Sequence, residues 1–242
     1  MRRLISAATI VAAVFLAVAA AAAPPPGRDG AFNFRFGGFF PTGSSDFWTT
    51  NEAAFTLDHS DFNGLIGGVG YNAAINNYFE FDANADFYTS TVRSADRYYE
   101  DSYGYPILHD SRLASFPLSA GFRVLPAGRY ARRGAEGNHY VRRPAFYLGG
   151  GIGMLYWRYE EEGDFVASDL SIVYDRFTES GLAFEYYAMA GIEFPVAPQW
   201  NITLEVRQSW ADVTPGGAFA VVNPGNLNLG GTSVFVGGAL RF

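Results

Sequence analysis

The residues able to do chemistry fall at alternate positions. Glu80, Asp82, Asn84 and Asp86 are spaced two apart, and Phe79, Phe81, Ala83, Ala85 and Phe87 fill the places between. Glu185 and Glu193 alternate with Phe184, Tyr186, Ala188, Ala190 and Ile192, and Glu205 and Arg207 with Ile202, Leu204 and Val206. Arg35, Arg123 and Arg241 sit among Phe32, Phe34, Phe36, Phe122, Val124, Leu240 and Phe242 in the same rhythm. Period two is the signature of an extended strand. Ten charges (Arg35, Glu80, Asp82, Asp86, Arg123, Glu185, Glu193, Glu205, Arg207 and Arg241) therefore share one side of a sheet. Enclosed there, they must pair, because an unpaired buried charge costs several kcal/mol or more. The expected outcome is a salt-bridged plug. The alternative is a narrow gated pore in which the pairs open.

Three other constellations invite chemistry. Asp82-x-Asn84-x-Asp86 has the opening spacing of a calcium loop, but the Gly after Asp86 is missing and Arg93 stands where the bidentate Glu belongs. Gly149-Gly150-Gly151-Ile152-Gly153 lacks the Lys-Ser/Thr of a phosphate loop and sits inside a strand pattern. Asp58, His59 and Ser60 hold the residue types of a hydrolytic triad, but adjacency in sequence carries no geometry. A lipid-modifying enzyme is thus the third hypothesis. The expectation is no catalytic site, no metal and no cofactor.

The elements that position these residues are strands. Of 242 residues, 17% are aromatic and 28 are glycine, which favours β-structure with tight bends. Residues 1–22 read as a secretory signal peptide, with Arg2 and Arg3, an apolar run from Leu4 to Ala19, and Ala20-x-Ala22. Residues 23–242 then form one domain. No later apolar run approaches the roughly 20 residues of a spanning helix. Cysteine and lysine are absent, and the net charge of −7 argues against nucleic acid as a partner.

Eight strand-like segments follow: 31–40, 62–74, 78–89, 113–124, 145–157, 182–194, 201–210 and 231–242. Their length suits tilted membrane strands of about 9–11 residues. Connections alternate long and short, apart from an Arg-rich stretch at 125–144 that reads as a solvated face. Residues 41–60 read as a long polar loop. Phe40, Tyr78, Trp157, Trp200 and Trp210 suit aromatic girdles. Gly38, Gly68 and Gly238 mark either curvature or a thin wall for a docking lipid.

On this architecture, on the Phe116–Arg123 stretch FPLSAGFR and on terminal Phe242, the chain resembles the small eight-stranded outer-membrane β-barrel families. These include the OmpA-type transmembrane domain and the opacity-protein or OmpW-like porins. The resemblance implies a closed, all-β, antiparallel up-and-down transmembrane barrel in the bacterial outer membrane. It implies outer-membrane lipid and lipopolysaccharide as surroundings. The acidic loops read as solvated faces, the alternative being that they hold cations bridging lipopolysaccharide. The resemblance also implies Phe242 as part of the signal read by the barrel assembly machinery. The expected role is structural or surface-interacting.

Overall fold

The computed structural model describes residues 30–133, 139–217, 219 and 225–242. The signal-peptide segment lies outside the described residues. The strands are β1 (Gly30–Pro41), β2 (Gly64–Ala74), β3 (Phe79–Glu100), β4 (Pro106–Val124), β5 (Tyr130–Arg133), β6 (His139–Arg142), β7 (Ala145–Val166), β8 (Ile172–Pro195), β9 (Trp200–Trp210), β10 (Asp212–Val213), β11 (Leu227–Asn228) and β12 (Gly231–Arg241). One helix, α1 (Asp46–Ala54), and a 3-10 turn, His59–Phe62, lie between β1 and β2.

Eight strands close into one antiparallel barrel in the order β1-β2-β3-β4-β7-β8-β9-β12. The seam is continuous from Ala31 opposite Arg241 to Pro41 opposite Gly231. Every barrel strand therefore has a partner on both sides. A sheet in hydrocarbon requires this, since lipid offers no hydrogen bond to an open edge. No described helix is long and apolar enough to cross a membrane.

The alternation read from the sequence sets the faces. Phe32, Phe34, Phe36, Leu118, Phe122, Ile152, Phe184, Leu204 and Val236 point outward and are exposed. Arg35, Glu80, Asp82, Asp86, Arg123, Glu185, Glu193, Glu205, Arg207 and Arg241 point inward and are buried. The Asn76 side chain accepts from the amides of Tyr78 and Phe79, closing the tight turn between β2 and β3.

The structure corrects four expectations. The stretch 41–60 is not a polar loop. Ser45 caps α1, and the helix buries Phe47 and Trp48 completely. The long loops after the third and fifth strands are mostly sheet. β3 pairs with β4 up to Glu100, and β7 with β8 up to Val166 opposite Ile172. Above the belt the outer face meets water and turns polar, so the polar–apolar alternation fades while the ladder continues. Trp157 is not a girdle residue but an inward one, buried at 3%. Its outward neighbour Tyr156 is exposed instead, and Tyr186 stacks on Trp210 elsewhere on the outer face.

Finally, Gly68 and Gly238 do not share a thin wall. Gly68 faces inward, where a Cβ would stand 2.0 Å from the Asp86 carboxylate. Gly238 faces outward under the Phe34 ring, 2.5 Å from where its Cβ would lie. Each is small for a different neighbour.

The closing seam has a direct test. Phe36 and Val236 are opposite each other on the outer face, and the chain has no native cysteine. The double variant F36C/V236C should cross-link under mild oxidation with a short bifunctional reagent, as a monomer of altered gel mobility. Cysteines two residues out of register, F36C/V234C, should cross-link far less.

Candidate functional site in the barrel interior

The interior is filled in two layers. The lower layer, near the short turns, is ionic. Arg241 contacts Glu193 at 3.0 Å and Glu80 at 3.2 Å. Arg129 reaches the same two carboxylates, bonding Glu80 and lying 2.7 Å from Glu193. A second cluster sits above it. Arg35 forks onto Asp86 at 2.6 and 2.9 Å and meets Glu205 at 3.0 Å. Arg123 bonds Asp82 at 2.6 Å and Glu205 at 3.3 Å. Arg207 joins Asp86 and Glu205 at 3.3 and 3.2 Å. Tyr147 donates to Glu205 at 2.9 Å.

All ten charges anticipated from the sequence thus meet in one interior. Nine of them form ion pairs. Glu185 lies beside Arg207 and Ser209 at a small cavity and, among the described residues, makes no salt bridge within 4.0 Å. Asp82, Asn84 and Asp86 are committed to this network. Asn84 bonds Asp82, which also accepts from Asn72 at 2.7 Å.

Sequence reasoning missed two kinds of member. Arg129 belongs to the Arg-rich connection, yet its buried guanidinium lies inside the barrel. No period-two pattern covers a residue in a turn. Aromatic Phe235 also faces inward, as does Tyr187, which the alternation of 182–194 already sets on the side of Glu185. Arg35 lies over Phe235 at 4.6 Å and Arg207 over Tyr187 at 4.4 Å. Such contacts contribute about 0.5–2 kcal/mol each when desolvated. Strict parity along 231–242 places Phe235 with Ser233 and Gly237, so that signal was present.

The upper layer is aromatic. α1 lies in the barrel mouth, with Phe47 edge-on to Tyr159 at 5.1 Å and Trp48 against Phe62 at 5.1 Å. Phe39, Leu57, Tyr88, Trp157, Phe219 and Leu227 complete the cluster. The Trp48 indole donates to the Asn228 carbonyl at 3.1 Å. One carboxyl interrupts this layer. Glu161 is 4% exposed, accepts from the Tyr159 hydroxyl at 2.8 Å and from the Asn51 amide of α1 at 3.2 Å. It lies four residues beyond Trp157, above the apolar belt. Burial pushes its carboxyl up to about 7, against the opposing bonds from Tyr159 and Asn51.

The triad types near 58–60 do not assemble as the sequence order suggested. His59 Nδ1 lies 2.8 Å from Glu52 and 3.3 Å from Asp58, whereas Ser60 contributes its backbone amide to Asp58. The serine and histidine that do meet are Ser94 and His109, at 3.0 Å, and both are buried. Phe55 and Phe165 pack on the imidazole.

A closed antiparallel barrel with an apolar belt and a charged interior is a membrane-spanning β-barrel. The chain belongs to the outer-membrane β-barrel family: the profile of the outer membrane protein beta-barrel domain matches residues 8–242. It is thus a bacterial outer-membrane protein. No curated protein matches its sequence. Solved structures similar to it include OprG of Pseudomonas aeruginosa, at 13% identity over 89% of this chain and 97% of that one, TM-score 0.47. Neisserial surface protein A is 13% identical over 89% and 99%, TM-score 0.45. Outer membrane protein W of E. coli is 17% identical over 88% and 98%, TM-score 0.33.

Two measurements test this interior. Glu205→Ala leaves Arg35, Arg123 and Arg207 short of a partner and should destabilise the refolded barrel by about 3–5 kcal/mol in denaturant titration. Glu161 should make stability pH-dependent. The unfolded carboxyl ionises near 4.5 and the folded one near 7. Between those values the folded chain keeps a proton that the unfolded chain has lost, so stability falls as pH rises through the window. The loss from pH 4.5 to 8 is on the order of 2–3 kcal/mol. Glu161→Gln should flatten that slope, read as hydrogen exchange of α1.

Proposed function

We propose that the protein is a closed, non-conducting outer-membrane barrel whose work is done at its outer surface. One observation carries the reading: the bore is occupied at two successive levels. Ion pairs fill the lower level, and α1 with its aromatic partners fills the upper one. Between Asp86, Glu185, Arg207 and Phe235 lies a cavity of about 20 Å³. That is room for one water molecule. An eight-stranded barrel is only just wide enough for its own side chains.

The surface offers contacts instead. The β3–β4 hairpin ends in exposed Tyr98, Tyr99, Tyr103 and Tyr105, interleaved with Glu100 and Asp101. The β7–β8 hairpin exposes Leu170, Ile172, Val173 and Tyr174 beside Asp164, Asp169 and Asp175. Exposed aromatic residues on ordered loops are common interaction surfaces. The reading includes no catalytic step: His59 faces acids rather than Ser60, and the Ser94–His109 pair is enclosed. On the same reading β12, with Phe242 against Phe32, is the strand offered to the assembly machinery.

The narrow-pore alternative differs in one observable. Refolded chain in a planar bilayer should give no steady openings at either polarity, while heat-modifiable gel migration confirms the folded barrel. Reproducible single-channel steps from folded protein would replace the closed reading with the pore.

A further inference from the structure

On three neighbouring strands the apolar belt of the outer face ends in one register row, Phe116–Tyr156–Leu182, and the arginines above it stand at staggered levels. Going up β4, the outward residues are Phe122, Ala120, Leu118, Phe116 and Ala114, and the next is Arg112. On β7 they are Phe146, Leu148, Gly150, Ile152, Met154 and Tyr156, followed by Arg158. On β8 they are Tyr186, Phe184 and Leu182, then Ser180 and Thr178, then Arg176. In each strand the first charge above the apolar belt is an arginine.

The three arginines converge. Glu160 lies among them, opposite Arg112 in the β4–β7 register. It accepts from Arg158 at 2.5 Å and from Arg176 at 2.8 Å. Burial opposes its ionisation, but bonds from Arg176 and Arg158 hold its carboxyl below the usual range, so it is charged. Glu162 also lies 3.7 Å from Arg176, so three cations face two anions and an excess of one positive charge remains. Arg112, Ala114, Arg158, Glu160 and Arg176 line a cavity of about 200 Å³ between them. The arginine side chains stay exposed, about half in the case of Arg158 and Arg176. This positive spot stands on a chain of net charge −7. Nearby Arg93 is different: Asp110 neutralises it with two bonds at 2.8 and 3.1 Å.

We propose that Arg112, Arg158 and Arg176 bind the phosphate of an anionic lipid in the leaflet that surrounds the long-hairpin end of the barrel. Height and chemistry both fit a lipid. Arg158 is two residues above Tyr156, about 7 Å along the strand. That puts guanidinium groups at headgroup level while acyl chains lie on Ala114, Phe116, Met154 and Leu182 below. Guanidinium forks match phosphate oxygens in pairs and remain charged at any physiological pH. Glu160 spaces the two arginines that flank it and weakens the site by its own charge. Charge complementarity thus assigns the lipid contact to cations on the barrel wall rather than to cations bridged by the loop acids.

Native mass spectrometry of the refolded chain in detergent micelles tests this with lipid A as the probe. Wild-type protein should retain one lipid A at low micromolar concentration. The triple variant R112A/R158A/R176A, or lipid A stripped of its phosphates, should lower binding at least tenfold. R93A should leave it unchanged. Equal binding by the triple variant or by the dephosphorylated lipid, within twofold, overturns the proposal. Competition by inorganic phosphate at equimolar concentration also overturns it, because the site would then be one for a free anion. Should the triple variant fail to show heat-modifiable migration, Glu160→Gln decides: binding should tighten severalfold, and unchanged or weaker binding rejects the site.

Discussion

Closure of β1 on β12 is the constraint on which the rest depends. Each backbone amide and carbonyl in hydrocarbon must find a partner within the protein, and only a ring of strands supplies one for every edge. The ring then divides each strand into a lipid side and an interior side with no third option. Eight strands make that interior narrow. Charge on the inner face is therefore not free to face lipid and lies close to charge on the strands across from it. It has to be neutralised in place.

The interior solves this with shared partners rather than isolated pairs. Glu205 serves Arg35, Arg123 and Arg207, and Glu193 serves Arg129 and Arg241. Guanidinium suits the task, since it offers five donors in a fixed plane and keeps its charge when buried. Stacking on Phe235 and Tyr187 covers the planes that carry no donors. Such a core does not maximise stability, because desolvating so many ions is costly. It does make the register of several strands interdependent, since one carboxylate collects guanidinium groups from β1, β4 and β9.

The fold was legible because the membrane enforces alternation. Where the alternation is cleanest, as in 79–87, the outer residues are apolar and the inner ones polar. The legibility stops where that enforcement stops. Glu160, Glu161 and Glu162 look like a solvated acidic run, yet in the sheet Glu160 faces out to arginines, Glu161 faces into the aromatic layer and Glu162 faces out again. α1 was hidden for another reason. Its nine residues mix polar and apolar types, and only the enclosing barrel wall makes Phe47 and Trp48 a core. Trp157 was misplaced by weighing residue type over parity, and Arg129 entered from a turn that has no period.

The β7–β8 ladder is unbroken from Ala145 opposite Glu193 to Val166 opposite Ile172. From Trp157 to Val166 it climbs nine residues, roughly 30 Å along the strand. The hairpin is a stiff mast rather than a tether. Its tip, Ala167–Ser171, sweeps a small volume and presents one shape. A continuous ladder of this length holds the tip at a fixed distance from the belt, well clear of the membrane surface.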